Sequence, residues 1–204
     1  MPQRLKFVNK REFIQIDGTR LPHWNQVDCV QFVTFRLADS LPQTKLKEFR
    51  QAKEHWLGQH PKPWGEAMQE EYDAMFTAKM DKWIDAGYGE CFLKDGRVRN
   101  IVTNAFMHFN GDRCYIHAYV IMPNHVHVLM TPREGHTVQS VVGAWKRFTS
   151  INIIKLLGRN GAVWENECFD RMVRNADEYE AYVDYIIDNP KNMPTEWYSL
   201  FVAD

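Results

Sequence analysis

The sequence lacks any apolar run that approaches the roughly 18–20 residues of a membrane span, so we expect no transmembrane segment and no membrane partner. The first ten residues carry charge with no apolar segment behind them, and we therefore expect no signal peptide. Internal repeats and low-complexity runs are also missing. These absences predict a soluble, cytoplasmic protein.

Cysteine is scarce, and no two cysteines are close in sequence. A Cys-x-x-Cys pair does not occur, which argues against a zinc ribbon and against a disulfide scaffold. We interpret the cysteines as reduced core residues. The chain has four: Cys29, Cys91, Cys114 and Cys168.

Net charge is also small, at −1, but its distribution along the chain is uneven. Residues 66–90 hold seven acids and two bases, whereas residues 91–164 hold nine bases and three acids. Local charge sets the electric field at a binding face, so a polyanionic partner such as DNA is compatible with this composition.

Length and composition fit one globular domain. The chain has 204 residues, of which 45% are hydrophobic and 25% are charged, close to the average for soluble domains. We predict a single domain over residues 1–204, with an added helical segment near residues 45–86 and a C-terminal tail at residues 191–204. The first 26 residues show no clear period.

Three segments have the β-branched and aromatic character of strands. Cys29 to Leu37 alternates in polarity, and Cys114 to Met122 and His125 to Met130 are separated only by Pro123-Asn124. Proline followed by asparagine suits a type I turn. The last two segments are therefore predicted to form a tight antiparallel hairpin.

Helical patterns fill much of the remaining chain. A stretch rich in glycine and proline separates the first two predicted helices. Gly158 can cap the helix that ends at Leu157, and Pro190 must end the helix that precedes it. The stretch that contains Gly161 and Trp164 has no regular pattern. The predicted helices are Lys45 to Leu57, Glu66 to Ala86, Val98 to Phe109, Thr137 to Leu157 and Asp177 to Asp188.

His125-Val-His127 is the most informative tripeptide. Residues two apart in a strand point to the same face, so both imidazoles project together. Two neighbouring neutral imidazoles can bind a divalent metal, although two half-exposed sheet histidines would give the same pattern. Since two histidines do not complete a metal site, a third ligand is needed.

The last predicted helix offers that ligand. Helical geometry places Tyr182, Tyr185 and Asn189 on a flank of a core stripe. Tyr185 and Asn189 lie one turn apart, so a phenol and an amide oxygen could serve as nucleophile and metal ligand. Alternatively, the tyrosines pack with their hydroxyls in water and Asn189 only ends the helix. The core stripe itself is predicted to comprise Tyr179, Val183, Ile186 and Ile187.

These groups suit phosphoryl transfer. A metal held by His125, His127 and Asn189 would polarise a phosphodiester while a tyrosine oxygen attacks it and forms a covalent ester. Such an ester conserves the bond energy, so one site could break and rejoin a strand without ATP.

A basic and aromatic surface could bind the nucleic acid. Trp145, Lys146 and Arg147 combine an aromatic ring with two basic side chains. This combination is common where a protein neutralises phosphates and stacks on unpaired nucleobases. Arg171 and Arg174, before the last helix, could extend the same surface. An amphipathic helix with solvated cations would show the same pattern around residue 145.

The ordered combination of these motifs resembles one family. Tyr119-Val-Ile-Met-Pro-Asn-His-Val-His-Val-Leu129 looks like the two-histidine hairpin of single-tyrosine HUH transposases. Tyr185-Ile-Ile-Asp-Asn-Pro190 looks like the tyrosine helix of their REP-associated (RAYT) branch. The resemblance covers most of residues 20–190, whereas the sequence after Pro190 departs from the family pattern.

This resemblance implies an α+β, ferredoxin-like fold with a central antiparallel sheet. It further implies a metal-dependent single-stranded DNA endonuclease and strand transferase that acts near palindromic hairpins. Tyr185 would be the nucleophile that forms a 5′-phosphotyrosine and leaves a free 3′-hydroxyl. His125, His127 and Asn189 would hold Mg²⁺ or Mn²⁺.

Two alternatives remain open at this stage. A replication initiator or relaxase-like nickase shares the two-histidine motif, although the Asn-Pro end of the tyrosine helix favours a transposase. A DNA-hairpin-binding protein that has lost catalysis is the other alternative, and the intact set of two histidines, tyrosine and asparagine argues against it. The oligomeric state, monomer or homodimer, stays open.

Overall fold

The structure is a computed structural model in which the chain forms two antiparallel sheets. In the small sheet, β1 (Gln15–Asp17) pairs with β2 (His23–Asn25). The large sheet has five strands in the order β6-β3-β5-β4-β7: β3 (Gln31–Arg36), β4 (Cys114–Ile121), β5 (His125–Pro132), β6 (Phe169–Met172) and β7 (Ser199–Val202). The structure describes residues 5–9, 11–17, 23–61, 64–72, 75–76, 83 and 86–203.

Five α-helices are described. Among them, none combines the length and the apolar character that a bilayer crossing demands. They are α1 (Gln43–Gln59), α2 (Glu66–Tyr72), α3 (Gly96–Phe109), α4 (Val138–Leu157) and α5 (Ala176–Asp188).

The centre of the molecule is a ferredoxin-like unit. Apart from α1 and α2, which are inserted between β3 and α3, the elements β3, α3, β4, β5, α4 and β6 run in the order β-α-β-β-α-β. All neighbouring strands among them are antiparallel. The fold belongs to the α+β class, as the sequence predicts. Strand β7 extends the unit beyond β4.

Strand alternation divides the sheet into two faces, each with its own core. Val33, Phe35 and Val128 point toward α3 and α4, where Phe106 and Trp145 contribute the largest rings. The opposite face carries a second core built around Phe32, Leu129 and Val120, which α5 covers through Ile186 and its tyrosines. The two histidines of β5 lie on this second face.

The predicted hairpin is confirmed. The turn between β4 and β5 closes with a hydrogen bond from the Met122 amide to the His125 carbonyl (2.9 Å). On the other side, β5 pairs with β3, so that Thr34 lies opposite His127 and Arg36 opposite His125. The histidine-bearing strand is therefore central in the sheet, with strands on both sides.

Helix α4 has the ends that its sequence predicts. The Thr137 hydroxyl oxygen caps the first turn by accepting a hydrogen bond from the Ser140 amide, and the Thr137 amide in turn donates to the Ser140 hydroxyl oxygen. Gly158 ends the helix with φ of 60°, a left-handed conformation that glycine adopts without strain.

The added helical segment near residues 45–86 is confirmed where the structure describes it. Helix α1 matches the prediction, and α2 covers the start of the predicted helix Glu66 to Ala86, most of whose second half lies outside the described residues. The two helices are joined by edge-on and tilted contacts among the rings of Trp56, Trp64 and Tyr72.

The sequence showed no strand pattern at β1, at β2 or at the two edge strands of the large sheet. Strand β6 lies in the stretch that we expected to be irregular, and β7 lies in the C-terminal tail. Arg99 anchors the tail, because its guanidinium donates to Ser199 Oγ (3.0 Å) and to the Glu196 carbonyl. Both strands have only four residues and occupy sheet edges, where short segments show little periodicity.

Candidate active site

The two histidines of β5 lie side by side in the interior. His125 and His127 are each 1% exposed, and their ring centroids are 4.6 Å apart. Val126 points to the opposite face and joins the first core. The period of the strand thus produces the pair of imidazoles that the tripeptide predicted.

Each imidazole has a side-chain oxygen at its Nδ1 atom. Nδ1 of His125 lies 2.8 Å from Oδ1 of Asn124, in the hairpin turn. Nδ1 of His127 lies 2.7 Å from Oγ1 of Thr34, on the neighbouring strand. Such partners orient imidazoles whose Nε2 atoms bind metals.

Burial keeps both rings neutral. It lowers the pKa of His127 to about 3 and lowers the pKa of His125 well below its usual value, with His127 adding to the effect on His125. A neutral imidazole retains a lone pair, which metal binding requires. The site is therefore electronically suited to a cation at neutral pH.

Helix α5 brings Tyr185 to the histidine pair. The Tyr185 hydroxyl lies 3.4 Å from Nε2 of His127, and the two ring centroids are 5.1 Å apart. Tyr182, one turn earlier, instead stacks on Phe32 with centroids 4.2 Å apart. Phe32 also stacks on His127 and meets Tyr185 edge-on, so this one ring contacts His127 and both tyrosines.

The prediction of which residues of helix α5 face the core is partly wrong. Ile187 is 43% exposed, whereas Ile186 is fully buried and Tyr182 packs against the second core. The buried face is centred closer to the tyrosines than hydrophobicity alone suggested, because Phe32 offers an aromatic surface for them. This rotation carries Tyr185 toward the sheet.

Asn189 follows Tyr185 by one turn and caps the helix. The backbone amide of Asn189 donates a hydrogen bond to the Tyr185 carbonyl (3.0 Å), which fixes the relative position of the two residues. Its side-chain oxygen Oδ1 is buried and has no hydrogen-bond partner among the described residues. Buried amide oxygens are normally satisfied, so this one is suited to a ligand that the polypeptide does not supply.

The residues present fit a divalent cation. Imidazole nitrogens and an amide oxygen are ligands that Mn²⁺ accepts and that Mg²⁺ can use together with water and phosphate oxygens. In the described part of the chain, no cluster of three or more His, Cys, Asp or Glu side chains could hold a metal alone. A cation here would depend on the amide of Asn189.

His117 is on the same sheet face but has a structural role. Its Nε2 lies 2.8 Å from Thr131 Oγ1, and its ring meets the edge of Tyr179. A register shift in β4 between Ile116 and Ala118 accommodates it. The interpretation of His117 as a satisfied sheet histidine agrees with these contacts.

The expectation that Trp145 stacks on DNA bases is wrong. Its side chain is 1% exposed and packs between Phe106 and Phe109 in the first core. The helix α4 turns Trp145 inward and leaves Phe148 exposed. The mixture of basic and aromatic residues in this segment did not reveal which aromatic ring faces the sheet.

Lys146 is also turned inward. Its ammonium donates to the carbonyls of Glu165 (2.9 Å), Asn166 (3.2 Å) and Glu167 (2.9 Å). Burial lowers the pKa of this lysine below its usual value. The side chain thus holds a loop, while its neighbour Arg147 is exposed on the helix that covers the face opposite the histidines.

Because Lys146 is turned inward and Arg147 is exposed, we predict that substituting them affects the stability of the protein differently. We expect Lys146→Ala to lower the free energy of unfolding by about 2 kcal/mol, because three loop carbonyls lose a charged donor. The matched control Arg147→Ala should stay within about 0.5 kcal/mol of the parent protein, as exposed substitutions usually do. Urea denaturation of both variants measures the difference, and equal losses would contradict the loop-holding role of Lys146.

Arg171 lies on the histidine side of the sheet. In the β3–β6 pair it is opposite Phe32, and its Nε is 3.6 Å from Oε1 of Glu178 at the start of α5. Arg174 also pairs with Glu178 and is more exposed. The structure therefore brings these two arginines, but not Arg147, to the side of the sheet that carries Tyr185.

Sequence reasoning assigned no role in the site to three of its residues. Thr34, Asn124 and Phe32 all touch the groups described above, yet the sequence predicted them only as strand or turn residues. The Thr34 contact spans 93 positions and depends on the β3–β5 register, which sequence counting does not fix. Phe32 and Thr34 are two residues apart in β3 and therefore share a face of the sheet.

Comparisons with known proteins agree with the resemblance seen in the sequence. Residues 93–189 match the family described as IS200-like transposases. The matched segment includes the hairpin, helix α4 and the whole of helix α5 with Asn189. The resemblance to transposases is confirmed over these residues.

A solved structure is also similar. It is described as a REP-associated tyrosine transposase bound to a REP hairpin, and it shares 15% identity with this chain. The similarity covers 86% of this chain and 74% of that chain, with a TM-score of 0.48. No curated protein matches the chain.

Proposed function

We propose that this protein is a single-stranded DNA endonuclease and strand transferase of the REP-associated tyrosine transposase type. One observation carries the proposal: the Tyr185 hydroxyl lies 3.4 Å from His127 Nε2, beside His125. Tyr185 also precedes by one turn Asn189, whose buried Oδ1 has no hydrogen-bond partner within the part of the chain that the structure describes. A nucleophile adjoining a potential cation site is an arrangement suited to phosphodiester cleavage.

The proposed reaction is a transesterification at phosphorus. The phenolic oxygen of Tyr185 forms a bond to the scissile phosphorus, and the bond from phosphorus to the 3′ oxygen breaks. The phenolic proton is lost and the departing 3′ oxygen gains a proton, so the products are a 5′-phosphotyrosine and a free 3′-hydroxyl. The number of phosphate ester bonds is unchanged, and the reverse attack by a 3′-hydroxyl rejoins a strand without ATP.

His125, His127 and Asn189 would hold the divalent cation, Mg²⁺ or Mn²⁺. When bound, such a cation polarises the phosphodiester and stabilises negative charge in the transition state. The protein contributes neutral rings whose orientation is set by Asn124 and Thr34. The second core packs against Tyr185 and limits the positions of its ring.

The proposed partner is single-stranded DNA folded into palindromic hairpins, as the RAYT resemblance implies. Arg171 and Arg174 are placed to meet the backbone on the Tyr185 side, because both lie at the β6–α5 junction. Arg147 could contact DNA only from the opposite face. Phosphate contacts of this kind would make binding weaken as salt concentration rises.

A denaturing-gel assay for a covalent adduct tests the proposal. The intact protein is mixed with a 5′- and 3′-labelled single-stranded oligonucleotide that contains a hairpin from the flanks of its own gene, with and without Mn²⁺. We expect a protein band that carries only the label 3′ to the cut, in the presence of Mn²⁺. An adduct that carries the other label would contradict the proposed polarity.

The same assay separates the alternatives. Tight hairpin binding without any adduct would favour a binding protein that has lost catalysis. An adduct that is hydrolysed or released without joining to a second 3′-hydroxyl would favour a nickase of the relaxase or initiator type. Strand joining to an added acceptor oligonucleotide is the result that the transferase proposal predicts.

A further inference from the structure

Asn124 connects the hairpin turn to the first histidine. It is 1% exposed, and its backbone carbonyl accepts a hydrogen bond from the Leu37 amide (2.8 Å). Its side-chain nitrogen Nδ2 donates to the Tyr88 carbonyl (3.2 Å), and its oxygen Oδ1 lies 2.8 Å from His125 Nδ1. The amide is therefore held between two fixed groups.

These contacts determine where His125 carries its proton. The Tyr88 carbonyl can only accept a hydrogen bond, so the amide nitrogen of Asn124 must face it and the amide oxygen must face the imidazole. An amide oxygen can also only accept. Nδ1 of His125 must consequently carry the proton, which leaves the lone pair on Nε2.

His127 is not constrained in this way. Its Nδ1 faces the hydroxyl of Thr34 and its Nε2 faces the hydroxyl of Tyr185, and both hydroxyls can donate or accept. With the proton on Nδ1, the Tyr185 hydroxyl donates to Nε2. With the proton on Nε2, the Thr34 hydroxyl donates to Nδ1. Both arrangements keep both hydrogen bonds to the ring, so these two contacts do not select one tautomer of His127.

We propose that Asn124 is a positioning residue that presets the tautomer of His125, so that its Nε2 is ready to bind a cation before the cation arrives. The role of the tautomer in metal binding rests on the proposed function, whereas the tautomer itself does not. The two histidines then differ: His125 is preset, and His127 adjusts through Thr34 and Tyr185.

Nitrogen-15 NMR of the histidine side chains in the metal-free protein measures this directly. We expect His125 of the parent protein to be protonated at Nδ1. In Asn124→Ala the acceptor is gone, and His125 should shift toward the Nε2-protonated form that free histidine favours in water. Asn124→Asp keeps an acceptor oxygen but loses the donor to Tyr88, so it should retain protonation at Nδ1.

Calorimetric titration with Mn²⁺ supplies a second readout that does not require DNA cleavage. Loss of a group that orients a metal-binding histidine weakens metal affinity about 10- to 100-fold, which we expect for Asn124→Ala. Thr34→Val is the matched comparison, because it removes the partner of His127 and should leave the His125 tautomer unchanged.

Several outcomes would overturn the inference. It is wrong if His125 of the parent protein carries its proton on Nε2, or if Asn124→Ala changes neither the tautomer nor the Mn²⁺ affinity. A shift in tautomer for Asn124→Asp equal to that for Asn124→Ala would assign the effect to the Tyr88 contact. Failure of the parent protein to bind Mn²⁺ or form an adduct, with the expected tautomers present, would instead contradict the proposed function.

Discussion

Tyr185→Phe is expected to abolish the covalent protein–DNA adduct, with cleavage reduced by about four orders of magnitude or more, the scale on which a covalent enzyme loses turnover without its nucleophile. The substitution removes only the hydroxyl that lies 3.4 Å from His127 Nε2. The phenyl ring can keep its edge-on contact with Phe32, so the fold should be retained.

Tyr182→Phe is the matched control. It lies on the same helix one turn earlier, and its ring stacks on Phe32 through a surface that phenylalanine also has. We expect this variant to form the adduct at nearly the parent rate. An inactive Tyr182→Phe beside an active Tyr185→Phe would move the nucleophile by one turn and would require α5 to rotate.

The second large effect is expected at the histidines. His125→Ala should abolish Mn²⁺-dependent cleavage while hairpin binding, measured by gel shift, stays at the parent level. The reason is that the variant removes one of two adjacent imidazoles without changing Arg171 or Arg174 on the surface. Circular dichroism at the assay temperature establishes that the variant is folded.

His117→Gln is the control for this experiment. His117 lies in a neighbouring strand, is also buried and has a pKa lowered to about 4 by burial, but its hydrogen-bond partner is Thr131. Cleavage by His117→Gln should persist with the same dependence on Mn²⁺. Retained cleavage in His125→Ala would contradict the metal assignment, as would equal loss in both variants.

The sequence predicted the elements of the site better than their assembly. Strand alternation placed His125 and His127 on one face, and helical spacing placed Tyr185 next to Asn189, because both depend only on local geometry. The contact between Tyr185 and His127 joins positions 58 apart and depends on how α5 crosses the sheet. Chemical reasoning about a metal held by the histidines and Asn189 suggested a tyrosine beside them, and the family resemblance named Tyr185, but neither gave the geometry of the contact.

The errors have a common physical cause. Trp145 and Lys146 were expected at a DNA surface, but each is turned inward by partners distant in sequence: Phe106 for the indole, and the carbonyls at residues 165–167 for the ammonium. Ile187 was expected in the core, but the aromatic ring of Phe32 favours the tyrosine side of the helix. In each case tertiary packing selected a face that composition left ambiguous.

The central claim is that Tyr185 becomes covalently joined to DNA, and peptide mapping of the adduct tests it most directly. The parent protein is incubated with the hairpin oligonucleotide and Mn²⁺, the adduct is isolated under denaturing conditions and digested with nuclease and protease, and the modified peptide is sequenced by mass spectrometry. The account predicts a nucleotide phosphate on Tyr185. A nucleotide on Tyr182 or on another residue, or cleaved DNA with no modified peptide, would contradict it.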